Sequence, residues 1–306
     1  MLKRENLLLM ILLPILVVFK NPAIALFVGS FFTLLLGRPL LPSAMEYGKV
    51  ALQAAIVLLG LSLNLQQLWG LSADYSGLVT GYVLATLLVG LLIGRLLAVD
   101  SVSGKLVSSA TAICGGTAVA TLSPVLRAEP RQTGAILAVI FILNAVALFT
   151  FPAIGHWLDL SQTQFGLWCA LAIHDTASVV ATAALYGEQA MEVATTLKLG
   201  RTLWLIPLLL FFSMAQGQSA RLRIPPFILL FVLASMLGSL APLPGGVVVA
   251  AAWSSKALLV VALFLVGCEI GRDTLRQIEA RVLWQALALW LLVAPLALLV
   301  VLRLTA

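Results

Sequence analysis

Residues 106–126 read L-V-S-S-A-T-A-I-C-G-G-T-A-V-A-T-L-S-P-V-L. The stretch is long and apolar enough to cross a bilayer. Yet Arg95 and Lys105 precede it, and Arg127 and Arg131 follow it. Basic loops belong on the cytoplasmic side, and a segment that simply crosses cannot have both flanks there. One that enters and returns can. Two half-helices of about ten residues reach about 15 Å each way at 1.5 Å per residue, half the hydrocarbon thickness. The tip would be Ile113-Cys114-Gly115-Gly116. A rival topology, in which the segment is a broken helix that crosses fully, also puts the glycine pair near mid-membrane.

The rest of the chain fits a lipid environment. Of 306 residues, 62% are apolar and 10% charged, whereas soluble domains carry about 25% charged residues. Such a chain needs lipid as its solvent, with helices satisfying their own backbone polar groups. We expect an all-α polytopic membrane protein of nine to eleven hydrophobic segments, at about 20 residues per span. They fall near 7–19, 22–37, 49–68, 75–98, 106–126, 132–154, 165–186, 198–216, 226–241, 255–271 and 282–303. No linker separates them, so 1–306 reads as a single transmembrane transporter domain. The net charge of +6 comes from basic residues scattered at segment ends, which argues against nucleic acid. Lys3, Arg4 and the run 7–19 have signal-peptide anatomy, but Ala25 runs straight into 26–36, so we read this segment as retained.

The loop 155–164 has no Lys or Arg and reads as periplasmic, which makes 165–186 re-entrant from outside with its tip at His174-Asp175-Thr176. All but Lys20, Lys198, Arg201, Lys256 and Arg303 of the 18 Lys and Arg residues then lie on the cytoplasmic side. The membrane is the bacterial inner membrane. Two internal matches support a duplication. Lys49 to Gly60 aligns with Lys256 to Gly267, and Ala112 to Ala120 with Ala172 to Val180. Each pair comes out oppositely oriented, the inverted symmetry found in secondary transporters. The approximate repeat halves are 1–155 and 156–306.

Three clusters carry chemistry. Gly115-Gly116, with Thr111, Cys114 and Thr117, can present free N–H groups and a positive helix end to an anion. Close helix packing by small residues is the other reading. His174 and Asp175, followed by Thr176 and Ser178, lie inside an apolar segment, where ionisable groups are costly and usually functional. His174, with Asp175, is the candidate for coupling a proton; Asp175 alternatively caps the half-helix that follows. Lys198 and Arg201 share a helix face and either anchor a helix start at the interface or bind an anion, with Arg201 offering a bidentate fork. Asn64, Glu269 and Asn144 are weaker, Asn144 reading as an interhelical hydrogen bond. The tryptophans read mostly as interfacial anchors. Cys114, Cys169 and Cys268 match neither a metal nor a disulfide pattern. No metal, cofactor or nucleotide motif is evident.

At these motifs, T-A-I-C-G-G-T-A (111–118), A-I-H-D-T (172–176) with Val179-Val180, and Lys198-Leu199 with Arg201, the chain resembles the YeiH-type family of bacterial membrane proteins, associated with sulfate export. It departs at Ala177-Ser178, where a bulkier polar residue is expected. The resemblance implies a transporter. Together these readings predict a secondary transporter of a small anion such as sulfate or a related sulfur-containing or organic anion. The hairpin tips would form its site, with a proton or sodium as coupling ion and a homodimer by analogy with other transporters. The alternatives are an anion channel and an intramembrane enzyme using Cys114 and His174.

Overall fold

The computed structural model describes residues 13–18, 21–36, 44–61, 65–216, 226–240, 243–268 and 278–305. Their regular structure is helical throughout. In chain order the helices are α1 (Pro22–Leu36), α2 (Ala44–Gly60), α3 (Leu65–Asp74), α4 (Ser76–Leu96), α5 (Ser101–Ala112), α6 (Gly115–Leu126) and α7 (Pro130–Trp157). They continue as α8 (Gln162–Ala172), α9 (Thr176–Tyr186), α10 (Glu188–Thr202), α11 (Leu205–Ala215), α12 (Pro226–Leu240), α13 (Gly245–Gly267) and α14 (Ala280–Leu304). Among the described residues five stretches are long and apolar enough to cross a membrane: α4, α7, α10 with α11, α13 and α14. The protein is an all-α, multi-pass membrane protein. Asn64, Glu269, Arg272, Lys20 and the basic positions Arg38, Arg221 and Arg223 lie outside the described residues.

Three element boundaries differ from the hydropathy reading. Segment 198–216 is preceded by ten helical residues, E-Q-A-M-E-V-A-T-T-L, so Lys198 and Arg201 sit in the last turns of α10 and not at a helix start. Likewise α13 begins at Gly245, ten residues ahead of the expected 255, and 49–68 divides into α2 and α3. Hydropathy finds what faces lipid. The start of α10 is weakly apolar because protein covers it: Ala190, Ala194 and Thr195 are fully buried.

The chain clusters into two compact units, 1–68 with 225–273 and 69–224 with 274–306. In the first, α13 packs against both α1 and α2, and α12 packs on α2. Close backbone approach at small residues is the usual basis of helix contact in lipid. The two glycines that align in the sequence match both serve it. A Cβ on Gly267 would stand 2.4 Å from the Leu26 carbonyl of α1, and one on Gly60 would stand 2.8 Å from the Phe231 carbonyl of α12. Ser255 Oγ donates to the Ala55 carbonyl at 2.7 Å and joins α13 to α2.

In the second unit α14 lies against α4, α5, α7 and α8. Gln285 Nε2 donates to the carbonyls of Gly90 on α4 (3.0 Å) and Gly104 on α5 (3.1 Å). Trp168 Nε1 donates to the Ala294 carbonyl at 2.9 Å, and Trp290 Nε1 to the Ala172 carbonyl at 3.0 Å. Phe151 stacks on Trp168 with ring centroids 3.9 Å apart. These two tryptophans are therefore buried bonding residues of the core, a correction to their reading as interfacial anchors. Trp69, Trp157, Trp253 and Trp284 are exposed, as anchors are.

Side chains tie the ends of the two helix pairs. At the start of α5, Asp100 Oδ1 accepts from Gln132 Nε2 at 3.0 Å, near the start of α7. Around α8 and α9, Tyr186 Oη donates to the Leu160 carbonyl at 2.6 Å. Gln162 Oε1 accepts from the backbone N–H groups of Gln189 (3.0 Å) and Ala190 (3.3 Å). At the two ends of α14, Arg281 Nη1 reaches the Ala98 carbonyl at 3.0 Å and Gln164 Nε2 reaches Thr305 Oγ1 at 3.0 Å.

Candidate functional site

Two helices stop mid-fold. Helix α5 ends at Ala112, and Cys114, in extended geometry, starts α6 at Gly115. Helix α8 ends at Ala172, and Asp175 starts α9 at Thr176. The local causes differ. Asp175 Oδ2 accepts from the backbone N–H groups of Ala177 (3.0 Å) and Ser178 (3.4 Å), a side-chain cap of ordinary type. Cys114 makes no such cap, so the first turn of α6 has no side-chain acceptor from its own N-cap.

The breaks touch. The backbone N–H of Gly115 donates to the His174 carbonyl at 3.0 Å, and Cys114 Sγ lies 3.3 Å from Thr176 Oγ1 and 3.7 Å from Thr117 Oγ1. Gly115 is required by this proximity, because a Cβ there would fall 2.8 Å from Ile140 Cγ2 and 3.1 Å from His174 Cβ. At Gly116 the nearest atoms to an added Cβ are Asp175 Oδ1 and Leu137 Cδ2, both at 3.9 Å. Asn144 Oδ1 accepts from the backbone N–H of His174 at 3.1 Å and lies 3.1 Å from its Nδ1. Asn144 stands halfway along the 28 residues of α7, so the joint sits about 20 Å from either end of that helix at 1.5 Å per residue.

Each broken helix leaves unsatisfied carbonyls at its C-terminal end, the negative pole of its dipole. Arg201 and Lys198 supply the donors. Arg201 Nε reaches the Ala112 carbonyl at 2.8 Å, Nη1 those of Ala170 (2.7 Å) and Leu171 (2.6 Å), and Nη2 that of Thr111. One guanidinium thus clamps the ends of α5 and α8 together. It also lies over the Tyr82 ring, 4.8 Å from its centroid, a favourable cation–π placement. Lys198 Nζ donates to the Ile173 carbonyl at 2.7 Å. The two side chains are 0% and 1% exposed for Lys198 and Arg201.

All eleven residues singled out from the sequence lie at or beside this joint. They do not all face it in the same way. Thr111 takes part through its carbonyl, its hydroxyl bonding Val107 within α5 at 3.0 Å. Most of the Arg201 fork is directed at main-chain carbonyls, while Lys198 makes one hydrogen bond with three donors to offer. Cys114 does not hydrogen-bond the His174 ring, whose Nε2 has no partner. Among the described residues, no three His, Cys, Asp or Glu side chains gather as metal ligands. Asn144 makes the interhelical hydrogen bond read from the sequence, with His174 as its partner; Tyr82 was not singled out. The signal for Asn144 was its place as a lone amide in the middle of a long apolar helix. Tyr82 had none.

A multi-pass membrane protein with paired helix breaks in one unit is the class these features define. Residues 9–286 match the family described as Conserved hypothetical protein 698. A UPF0324 membrane protein of Bacteroides thetaiotaomicron is 41% identical over 280 residues, 90% of this chain and 84% of its own length. One of Geobacter sulfurreducens is 40% identical over 274 residues, 90% and 88% of the two chains, and one of Vibrio parahaemolyticus 38% identical over 289 residues, 92% of each. No solved structure matches. The chain belongs to the UPF0324 family of bacterial polytopic membrane proteins, in keeping with the inner membrane.

Proposed function

We propose that this protein is a secondary transporter of a small anion, and that the joint between the two helix breaks is its substrate site. The observation that carries this reading is the full burial of two basic side chains, Lys198 and Arg201, at the joint where part-buried Asp175 starts α9. Ionisable groups are kept at such depth where they serve a solute or ion pathway. An anion would meet the uncapped first turn of α6 at Gly116 and Thr117, the free donors of Lys198 and the hydroxyls of Thr176 and Ser178. Arg201 would hold the frame and add charge. Two further buried atoms have no partner, His174 Nε2 and Asn144 Nδ2, one able to take a proton and the other to donate a hydrogen bond. His174, with Asp175, is accordingly the candidate for proton coupling, with sodium as the alternative ion. Sulfate or a related sulfur-containing or organic anion is the substrate we favour, on the resemblance to the YeiH-type family.

The geometry supports re-entrant helix pairs of opposite orientation. The Asp100–Gln132 bond closes 100–132 on itself, and the bonds of Tyr186 and Gln162 close 160–190 on itself. Helix α7, about 42 Å long by its 28 residues, runs from the first closure to the second, so the pairs would enter from opposite faces. Alternating access would follow from one set of helices moving against the other, within a homodimer by analogy with other transporters.

The test is uptake by proteoliposomes of sulfate, sulfite, small sulfonates and carboxylates, with and without a pH gradient, beside a Lys198→Ala/Arg201→Ala control. Saturable uptake lost in the control is the expected result. No flux of any anion by folded protein overturns the reading.

A further inference from the structure

We infer that the empty site carries one uncompensated positive charge, and that the protein therefore exchanges anions strictly instead of releasing them singly. The inference rests on the anion-transport reading above. It concerns the charge of the cargo and the obligation to return loaded, neither of which that reading fixes.

The count is local. Helix α10 brings Lys198 and Arg201, and the break between α8 and α9 brings Asp175. The other polar groups facing the joint are uncharged: Thr111 and Cys114 at the α5 end, Thr117 on α6, Asn144 on α7, Thr176 and Ser178 on α9, and Tyr82 on α4. His174 is fixed by its neighbours. Its backbone N–H can only donate, so the Asn144 atom it meets is the oxygen. The Nδ1 that lies 3.1 Å from the same oxygen must then carry a hydrogen. Its Nε2 has no partner to hold a second proton in place. Helix ends do not alter the sum, because two N-terminal and two C-terminal ends meet at one place and their partial charges oppose each other.

Arg201 stays ionised in any protein environment. Lys198, whose Nζ donates to the Ile173 carbonyl at the end of α8, counts as the second cation. Two positive charges against the Asp175 carboxylate leave one over. Carrying that charge through hydrocarbon with nothing bound is strongly unfavourable. A cargo of one net negative charge cancels it. The fitting substrate class is therefore the monoanion. A dianion such as sulfate meets the same condition when it brings one proton, for which His174 Nε2 is the open acceptor. The loaded site is neutral and free to move; the empty site is held until another anion enters.

The experiment uses full-length protein in proteoliposomes loaded with labelled methanesulfonate, and in parallel with labelled sulfate. Efflux is followed into buffer that contains the same anion and into buffer whose anion is too large to enter. Efflux into the anion-free buffer should be slower by at least about tenfold. A potassium diffusion potential set with valinomycin should leave the exchange rate unchanged within about twofold, since the loaded site is neutral. In Lys198→Gln the empty site is neutral and the loaded site carries one negative charge, so the two efflux rates should fall to a common value that an inside-negative potential raises. If that variant does not fold, the potential test on the wild type decides. Equal rates in the wild type, or exchange driven by the potential, overturn this inference alone and leave the anion transporter standing. Flux in neither mode, with either anion, overturns the transport reading and this inference with it.

Discussion

Asn144 Oδ1 holds His174 twice, through the backbone N–H and through ring Nδ1, each at 3.1 Å. One amide on the longest helix thus fixes the position, the ring orientation and the tautomer of the only histidine at the joint. Removing it in Asn144→Ala leaves two buried donors unsatisfied, at a cost of about 1–3 kcal/mol each. The protein should still fold, with a lower unfolding temperature in detergent, and anion flux should fall sharply because the imidazole is free to turn. Wild-type flux in Asn144→Ala would show that the ring needs no such hold.

Arg201→Lys keeps the charge and loses the fork. A single ammonium cannot reach the carbonyls of Thr111, Ala112, Ala170 and Leu171 together. Each buried carbonyl left without a donor costs about 1–3 kcal/mol. Thermal unfolding of the purified variant should show a clearly depressed midpoint, whereas an unchanged midpoint would mean the clamp contributes nothing to the fold.

Adjacent glycines should behave unlike each other. Gly115→Ala pushes a methyl into Ile140 Cγ2 and His174 Cβ, so the joint must open, with a loss of about 1–3 kcal/mol as for overpacking elsewhere. Gly116→Ala meets nothing nearer than 3.9 Å and should retain the wild-type unfolding temperature. Equal loss in both would point to the helix start, and not to the contact, as what the pair protects.

In a background without native cysteines, Asp100→Cys/Gln132→Cys should cross-link with a short bifunctional reagent, and an impermeant reagent should reach the pair from the cytoplasmic side. Thr163→Cys/Gln189→Cys, whose native side chains are bonded at 3.2 Å, should behave the same way from the periplasmic side. Labelling of Gln132→Cys from outside would remove the re-entrant geometry.

The sequence carried the breaks themselves, because a glycine pair and a His-Asp step stand out in apolar surroundings. What Lys198 and Arg201 bond to was not legible. Their partners are main-chain carbonyls exposed only once α5 and α8 stop, and a carbonyl has no residue type to read. Trp168 and Trp290 misled for a related reason: an indole that donates to a carbonyl inside the fold has the same letter as one at a lipid headgroup. The first ten residues of α10 escaped because from Ala190 onward most are covered by protein and had no need to be lipid-like. Asn144 was visible but its partner lies 30 residues onward, a distance that no local period spans.

The contact from Gly115 to His174 is made of main-chain atoms alone. No exchange of side chains can remove its acceptor, and its donor is lost only to proline. The side chains around it, Cys114, Thr117, Thr176 and Ser178, are under no such constraint. The frame can therefore be inherited unchanged while its lining drifts; under the proposed reading, relatives would then hold different solutes in one and the same place.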